Sequence, residues 1–199
     1  MKHTHAYIVE PIKGRYSNKK NVGDKQLILN TSIEDHKFVN RSGVIIETPI
    51  VKDEYNLQVG DEVIIHHNVF RRYYDMRGNE KNSTNYFEEK KYFCYSDQIF
   101  LYKRGGKWYA PPGFCFVKPI KSTDNLTIDK EKPLTGVLKH VGSNLKSFNL
   151  QDDDLVGFTP NSEYEFVIDN ERLYRVPFNS ISIKYERKGT EVEYNTSWV

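Results

Sequence analysis

The chain repeats itself, and that repeat limits what it can fold into more than any other feature. Tyr7-Ile8-Val9-Glu10-Pro11-Ile12-Lys13 recurs as Cys115-Phe116-Val117-Lys118-Pro119-Ile120-Lys121. Ser42-Gly43-Val44-Ile45 recurs as Thr135-Gly136-Val137-Leu138. Asn56-Leu57-Gln58-Val59-Gly60-Asp61-Glu62-Val63 recurs as Asn149-Leu150-Gln151-Asp152-Asp153-Asp154-Leu155-Val156. Each copy closes on a paired apolar stretch, Tyr92-Phe93-Cys94 to Ile99-Phe100 and Leu173-Tyr174-Arg175 to Ile181-Ser182-Ile183. Three blocks in one order, twice over, describe two homologous domains. The boundary falls at Pro111-Pro112-Gly113, giving domains at 1–112 and 113–199.

The apolar runs are short, β-branched or aromatic, and bounded by Gly, Pro, Asn and Asp, with no helical period sustained over three turns. Strands are predicted at 43–46, 62–65, 91–95 and 98–102 in the first copy. In the second they are predicted at 136–141, 155–159, 165–168, 171–176 and 180–186. Asp169-Asn170 and Gly105-Gly106 read as hairpin turns, because these residues tolerate positive φ. Aromatic residues make up 14% of the chain, which favours β structure over disorder. The predicted fold class is all-β, as two small, partly open β-barrels. The terminal strands at 2–9 and 181–186 are expected to be exposed edges unless paired with another chain.

The copies differ in length. Thirty-two positions separate Pro11 from Gly43, against seventeen between Pro119 and Gly136. The first copy is also longer between its third and fourth blocks, around a polar tip at 75–85. Its long segment at 15–42 is rich in Asn, Lys, Ser, Asp and Thr, with one apolar island, Leu27-Ile28-Leu29. Such an island reads as bait for a partner's apolar groove. The alternative is an ordinary strand at 26–29 folded onto the barrel.

The two cysteines, Cys94 and Cys115, form no disulfide framework or zinc spacing and read as reduced, buried thiols of a cytoplasmic protein. The net charge of +2 is too balanced for a chain dominated by phosphate binding. No apolar run reaches the ~18 to 20 residues of a membrane span. No apolar stretch after Met1 is long enough for a signal peptide. His66-His67, set at the end of a strand, are expected on opposite faces, one packed and one exposed. His3 and His5 are expected to be incidental to any metal. Asp152-Asp153-Asp154 lacks a calcium-loop spacing and reads as a turn. No phosphate loop, nucleophile elbow, metal set or cofactor motif is present, so the chain reads as non-enzymatic.

These residues resemble the GroES co-chaperonin family. Gly136-Val137-Leu138-Lys139-His140-Val141-Gly142 looks like the family's Gly-Glu-Val-Leu-x-Val-Gly strand. Residues 150–158 look like its Val-x-x-Gly-Asp-x-Val-x-Phe segment, and Gly60-Asp61-Glu62-Val63-Ile64-Ile65 keeps that pattern in the first copy. Residues 169–176 and Ser180-Ile181-Ser182-Ile183 look like the family's ending. The 15–42 segment falls where the family has its mobile loop and apolar triplet. The resemblance implies tandem GroES-like barrels in a homo-oligomeric ring. In that ring Leu27, Ile28 and Leu29 dock on a GroEL-type chaperonin, and the partner binds and hydrolyses ATP.

The sequence departs from the family in several places. Two domains are fused, and the second has only Leu126 and Ile128 in place of the triplet. The roof hairpins at 48–56 and 143–149 are shortened, and the hairpin at 70–91 is an addition. The departures and the high Asn, Lys and Tyr usage imply a divergent, phage-encoded version. Two other functions compete with this one. Arg71-Arg72-Tyr73-Tyr74, Lys90-Lys91-Tyr92-Phe93 and Lys103-Arg104 with Lys107-Trp108-Tyr109 could bind single-stranded nucleic acid. A GroES-like fold could also serve only as an assembly module.

Overall fold

The structure, a computed structural model, describes residues 2–17, 19–23, 25–28, 33, 35–122 and 131–188. The chain divides into two compact units, Met1–Lys107 and Trp108–Val199. Eleven strands are numbered along the first part of the chain. They are β1 (Tyr7–Pro11), β2 (Lys19–Val22), β3 (Lys25–Ile28), β4 (Ser42–Glu47), β5 (Glu62–Ile65), β6 (Arg72–Tyr74), β7 (Glu80–Asn82), β8 (Tyr86–Glu88), β9 (Lys91–Cys94), β10 (Ile99–Arg104) and β11 (Lys107–Tyr109). The unit boundary falls within β11. Then follow β12 (Phe114–Lys121), β13 (Glu131–Val141), β14 (Asp154–Phe158), β15 (Tyr164–Ile168), β16 (Glu171–Pro177) and β17 (Ile181–Lys188). A single helical turn, α1 (Ser143–Lys146), precedes β14.

The fold is all-β, and the repeat read from the sequence is a repeat of topology. The first large sheet runs β8-β9-β1-β4-β5-β10-β11; the second runs β15-β16-β12-β13-β14-β17. The ladders agree residue by residue. Pro11 faces Gly43 as Pro119 faces Gly136, and Gly43 faces Val63 as Gly136 faces Val156. Val9 faces Tyr92 as Val117 faces Tyr174. Tyr92 and Tyr174 therefore occupy equivalent places, one position away from the sequence pairing of Tyr92-Phe93-Cys94 with Leu173-Tyr174-Arg175. Ile99 pairs with Ile65 as Ile181 pairs with Phe158, and a bulge follows in both cases.

Both sheets are open among the described residues, and no closed barrel forms. The edge expected at residues 2–9 is not one. The strand that forms there, β1, lies between β4 and β9, while β17 does lie at a sheet edge. Each unit buries its own apolar cluster. Tyr7, Val9, Ile45, Val63, Ile65, Phe70 and Tyr92 contribute to the first, and Cys115, Val117, Leu138, Val156 and Val176 to the second.

The predicted turns have the expected chemistry. Asp169 and Asn170 take φ of 50° and 65° between Ile168 and Glu171, which pair directly. Two positive φ values in a two-residue loop match the twist of the flanking strands.

Candidate docking site

The 15–42 segment leaves β1 and returns into β4 at Ser42, and its described strands before that point belong to neither large sheet. Its middle is a separate hairpin, β2 paired with β3, turning at Gly23 with φ 59°. Lys19 faces Ile28, Lys20 faces Leu27 and Val22 faces Lys25. Side chains alternate along a strand, so Leu27 shares a face with Val22, and Ile28 lies on the other.

Leu27 is 54% exposed, Ile28 56% and Val22 58%. A strand does form here, as the core alternative supposed, but Leu27 and Ile28 are not packed in the core. Leu29 lies outside the described residues. Val22 was missed in the sequence; the signal was a lone apolar residue just before Gly23, which the hairpin register puts on the same face as Leu27. In the second copy, Leu126 and Ile128 lie outside the described residues.

The limbs of the segment are joined at their root. Tyr16 bridges Val39, Ser17 N–H donates to Phe38 O at 2.8 Å, and Asn40 N–H donates to Arg15 O at 2.9 Å. Ile33 and Val39 are buried. The root is thus anchored in the unit while the hairpin presents apolar side chains to solvent. Chemically, the site offers apolar area and backbone edges.

His66 and His67 do not lie on opposite faces of a strand, because β5 ends at Ile65 and a 3-10 turn begins at His67. Their rings stack at 4.3 Å, and both are half-buried. His66 Nδ1 accepts from Asn68 N–H at 3.1 Å, and the His36 ring lies 5.4 Å from that of His67. Burial, then His66, Arg41, His36 and Arg71 nearby, push the His67 imidazole down to about 4.

Cys94 and Cys115 are buried and free of disulfides. Burial raises both thiols, that of Cys115 to about 12. Among the described residues, no group of three or more His, Cys, Asp or Glu side chains is placed to hold a metal. No helix among them is long and apolar enough to cross a membrane.

The basic-aromatic clusters are partly tied up internally. Arg72 pairs with Glu80 at 2.6 Å, Lys91 with Glu88, and Arg104 with Asp61 at 2.5 Å, while Tyr92 is buried. Tyr73 and Tyr74, at 40% and 49% exposure, remain at the surface.

No protein-family model matches this sequence, and no curated protein matches it.

Proposed function

We propose that this chain is a non-enzymatic, co-chaperonin-like lid that binds a GroEL-type chaperonin and assists ATP-dependent folding in the cytoplasm. On this reading both units are GroES-like small barrels, several chains form a ring, and the first unit's hairpin docks on the chaperonin. The observation that carries it is the exposure of Leu27 and Ile28 on a hairpin outside both large sheets. The resemblance of the repeat blocks to the GroES family supplies the partner.

The energetics favour multivalent capping. Burying Leu27, Ile28 and Leu29 yields ~1.5 to 3 kcal/mol each. Ordering five or six residues costs ~1 to 2 kcal/mol apiece. The terms nearly cancel, so one loop binds weakly, and several loops on one ring multiply small gains through effective concentration.

The test is the triple variant Leu27→Ser, Ile28→Ser, Leu29→Ser. Co-elution with a chaperonin in ATP or ADP should be lost while thermal unfolding stays unchanged. Undiminished binding overturns the docking assignment, and cooperative loss of the fold makes the triplet core.

The exposed rings of Tyr73 and Tyr74 beside Arg71 and Arg72 favour a second reading, binding of single-stranded nucleic acid by stacking. Absence of binding to mixed single-stranded DNA and RNA at ~50 mM salt disposes of it, because such contacts are strongest at low salt.

A further inference from the structure

The first unit carries two insertions, 15–42 and 70–91, and they meet at the root of the docking hairpin. Arg15 Nε donates to Phe70 O at 3.0 Å, and its Nη1 donates to Asn82 Oδ1 in β7 at 2.7 Å. The Tyr16 hydroxyl accepts from Arg72 N–H in β6 at 2.7 Å and donates to Ile33 O in the segment's returning limb at 2.8 Å. The Arg72 guanidinium lies 4.9 Å from the centre of the Tyr16 ring, and Glu80 in β7 holds that guanidinium at 2.6 Å. One hydroxyl therefore joins the outgoing limb, the returning limb and the second insertion.

We propose that the β6–β7 hairpin is a brace that holds the docking hairpin in its binding posture, with Arg15 and Tyr16 as positioning residues. The inference rests on the docking reading above. A segment whose root is already ordered loses less freedom on binding, so bracing raises affinity without touching the partner. The second unit fits this logic. It has no apolar triplet, and its β14 and β15 are joined by residues 159–163, with no hairpin between them. The apolar triplet and the brace occur together in the first unit; the second has neither the triplet in its sequence nor, among its described residues, the hairpin.

Three variants of the full chain test the brace. Tyr16→Phe removes the bridging hydroxyl and keeps the ring. Asn82→Ala removes the Arg15 acceptor at an exposed position, and it carries the test if Tyr16→Phe does not fold. Asn82→Asp puts a charged acceptor in its place, which binds a guanidinium more strongly.

The first readout is native-state amide exchange, with β13 and β14 as internal reference. Tyr16→Phe and Asn82→Ala should exchange about tenfold faster across 15–41 and no faster in the reference. Asn82→Asp should match or undercut the unmodified chain. The second readout is affinity for a chaperonin in ADP, which should fall about tenfold for the first two variants and return with Asn82→Asp. Unchanged exchange overturns the brace, and so does faster exchange with unchanged affinity. A parent chain that binds no chaperonin overturns the docking reading, while exchange alone then decides whether the hairpin holds the root.

Discussion

Asp61 and Asp154 occupy the same place in the two sheets, and each does the same work. The Asp61 carboxylate accepts from Gln58 N–H at 2.8 Å, and that of Asp154 accepts from Gln151 N–H at 2.8 Å. Both are buried and both meet a cation. Arg104 reaches Asp61 through Nε at 2.9 Å and Nη2 at 2.5 Å, while Lys184 reaches Asp154 with one ammonium at 2.8 Å. Two parallel bonds hold a carboxylate more firmly than one point charge. Asp61→Ala should therefore cost about 3 kcal/mol by denaturant unfolding, and Asp154→Ala about 2 kcal/mol, since each leaves an amide without its buried acceptor and removes an ion pair.

His67 gives the pH dependence. The unfolded chain takes up its proton near the ordinary imidazole value, but the folded chain does so only near pH 4. Between those values the unfolded state binds more protons, so stability falls as pH falls. The facing groups, His66, His36, Arg41 and Arg71, carry no negative charge to offset this. Thermal midpoints should drop as pH is lowered from 7 to 4.5, and His67→Gln should flatten that slope. The thiols, buried and raised, should react with an aromatic disulfide reagent only after denaturant is added.

Among the elements, the strands at Gly43 and Gly136 show how close packing governs a repeat. A Cβ on Gly136 would lie 2.5 Å from Lys118 O and 2.5 Å from Val117 Cγ1. On Gly43 it would lie 3.1 Å from the equivalent carbonyl, that of Glu10. Gly136→Ala must push backbone apart and should cost about 3 kcal/mol; Gly43→Ala should cost about 1 kcal/mol. Urea unfolding of the two variants checks the order.

Short apolar strands were legible at this scale. Those predicted at 62–65 and 171–176 match β5 and nearly all of β16, because a β-branched or aromatic run bounded by turn residues is written in local sequence. The polar hairpin strands β6 and β7 were not, since no buried face marks them in the sequence. The predicted docking island was legible as an apolar exception in a polar stretch. Its isolation from both sheets was not, because the sequence does not say what a strand will pair with.

At the scale of the whole molecule, one topology is used twice and elaborated once. Among the described residues β17 lies at a sheet edge, and an edge strand is a place where another chain can pair. A ring closes such edges by symmetry. Light scattering at micromolar concentration should report a multimer, and strict monomer behaviour removes the ring from the proposed function.

Local chemistry by itself determined the all-β class, the two-copy order, the hairpin turns at Asp169-Asn170 and Gly105-Gly106, and the apolar island. The strands, turns and island depend on neighbours within a few residues, and the two-copy order on whole blocks recurring along the chain. Tertiary structure alone decided the stacking of His67 on His66, the equivalence of Tyr92 with Tyr174, and the meeting of Tyr16 with Arg72. That last contact joins residues fifty-six positions apart. Such contacts form only once the sheet has brought distant loops to one place, and no local pattern encodes which loops those will be.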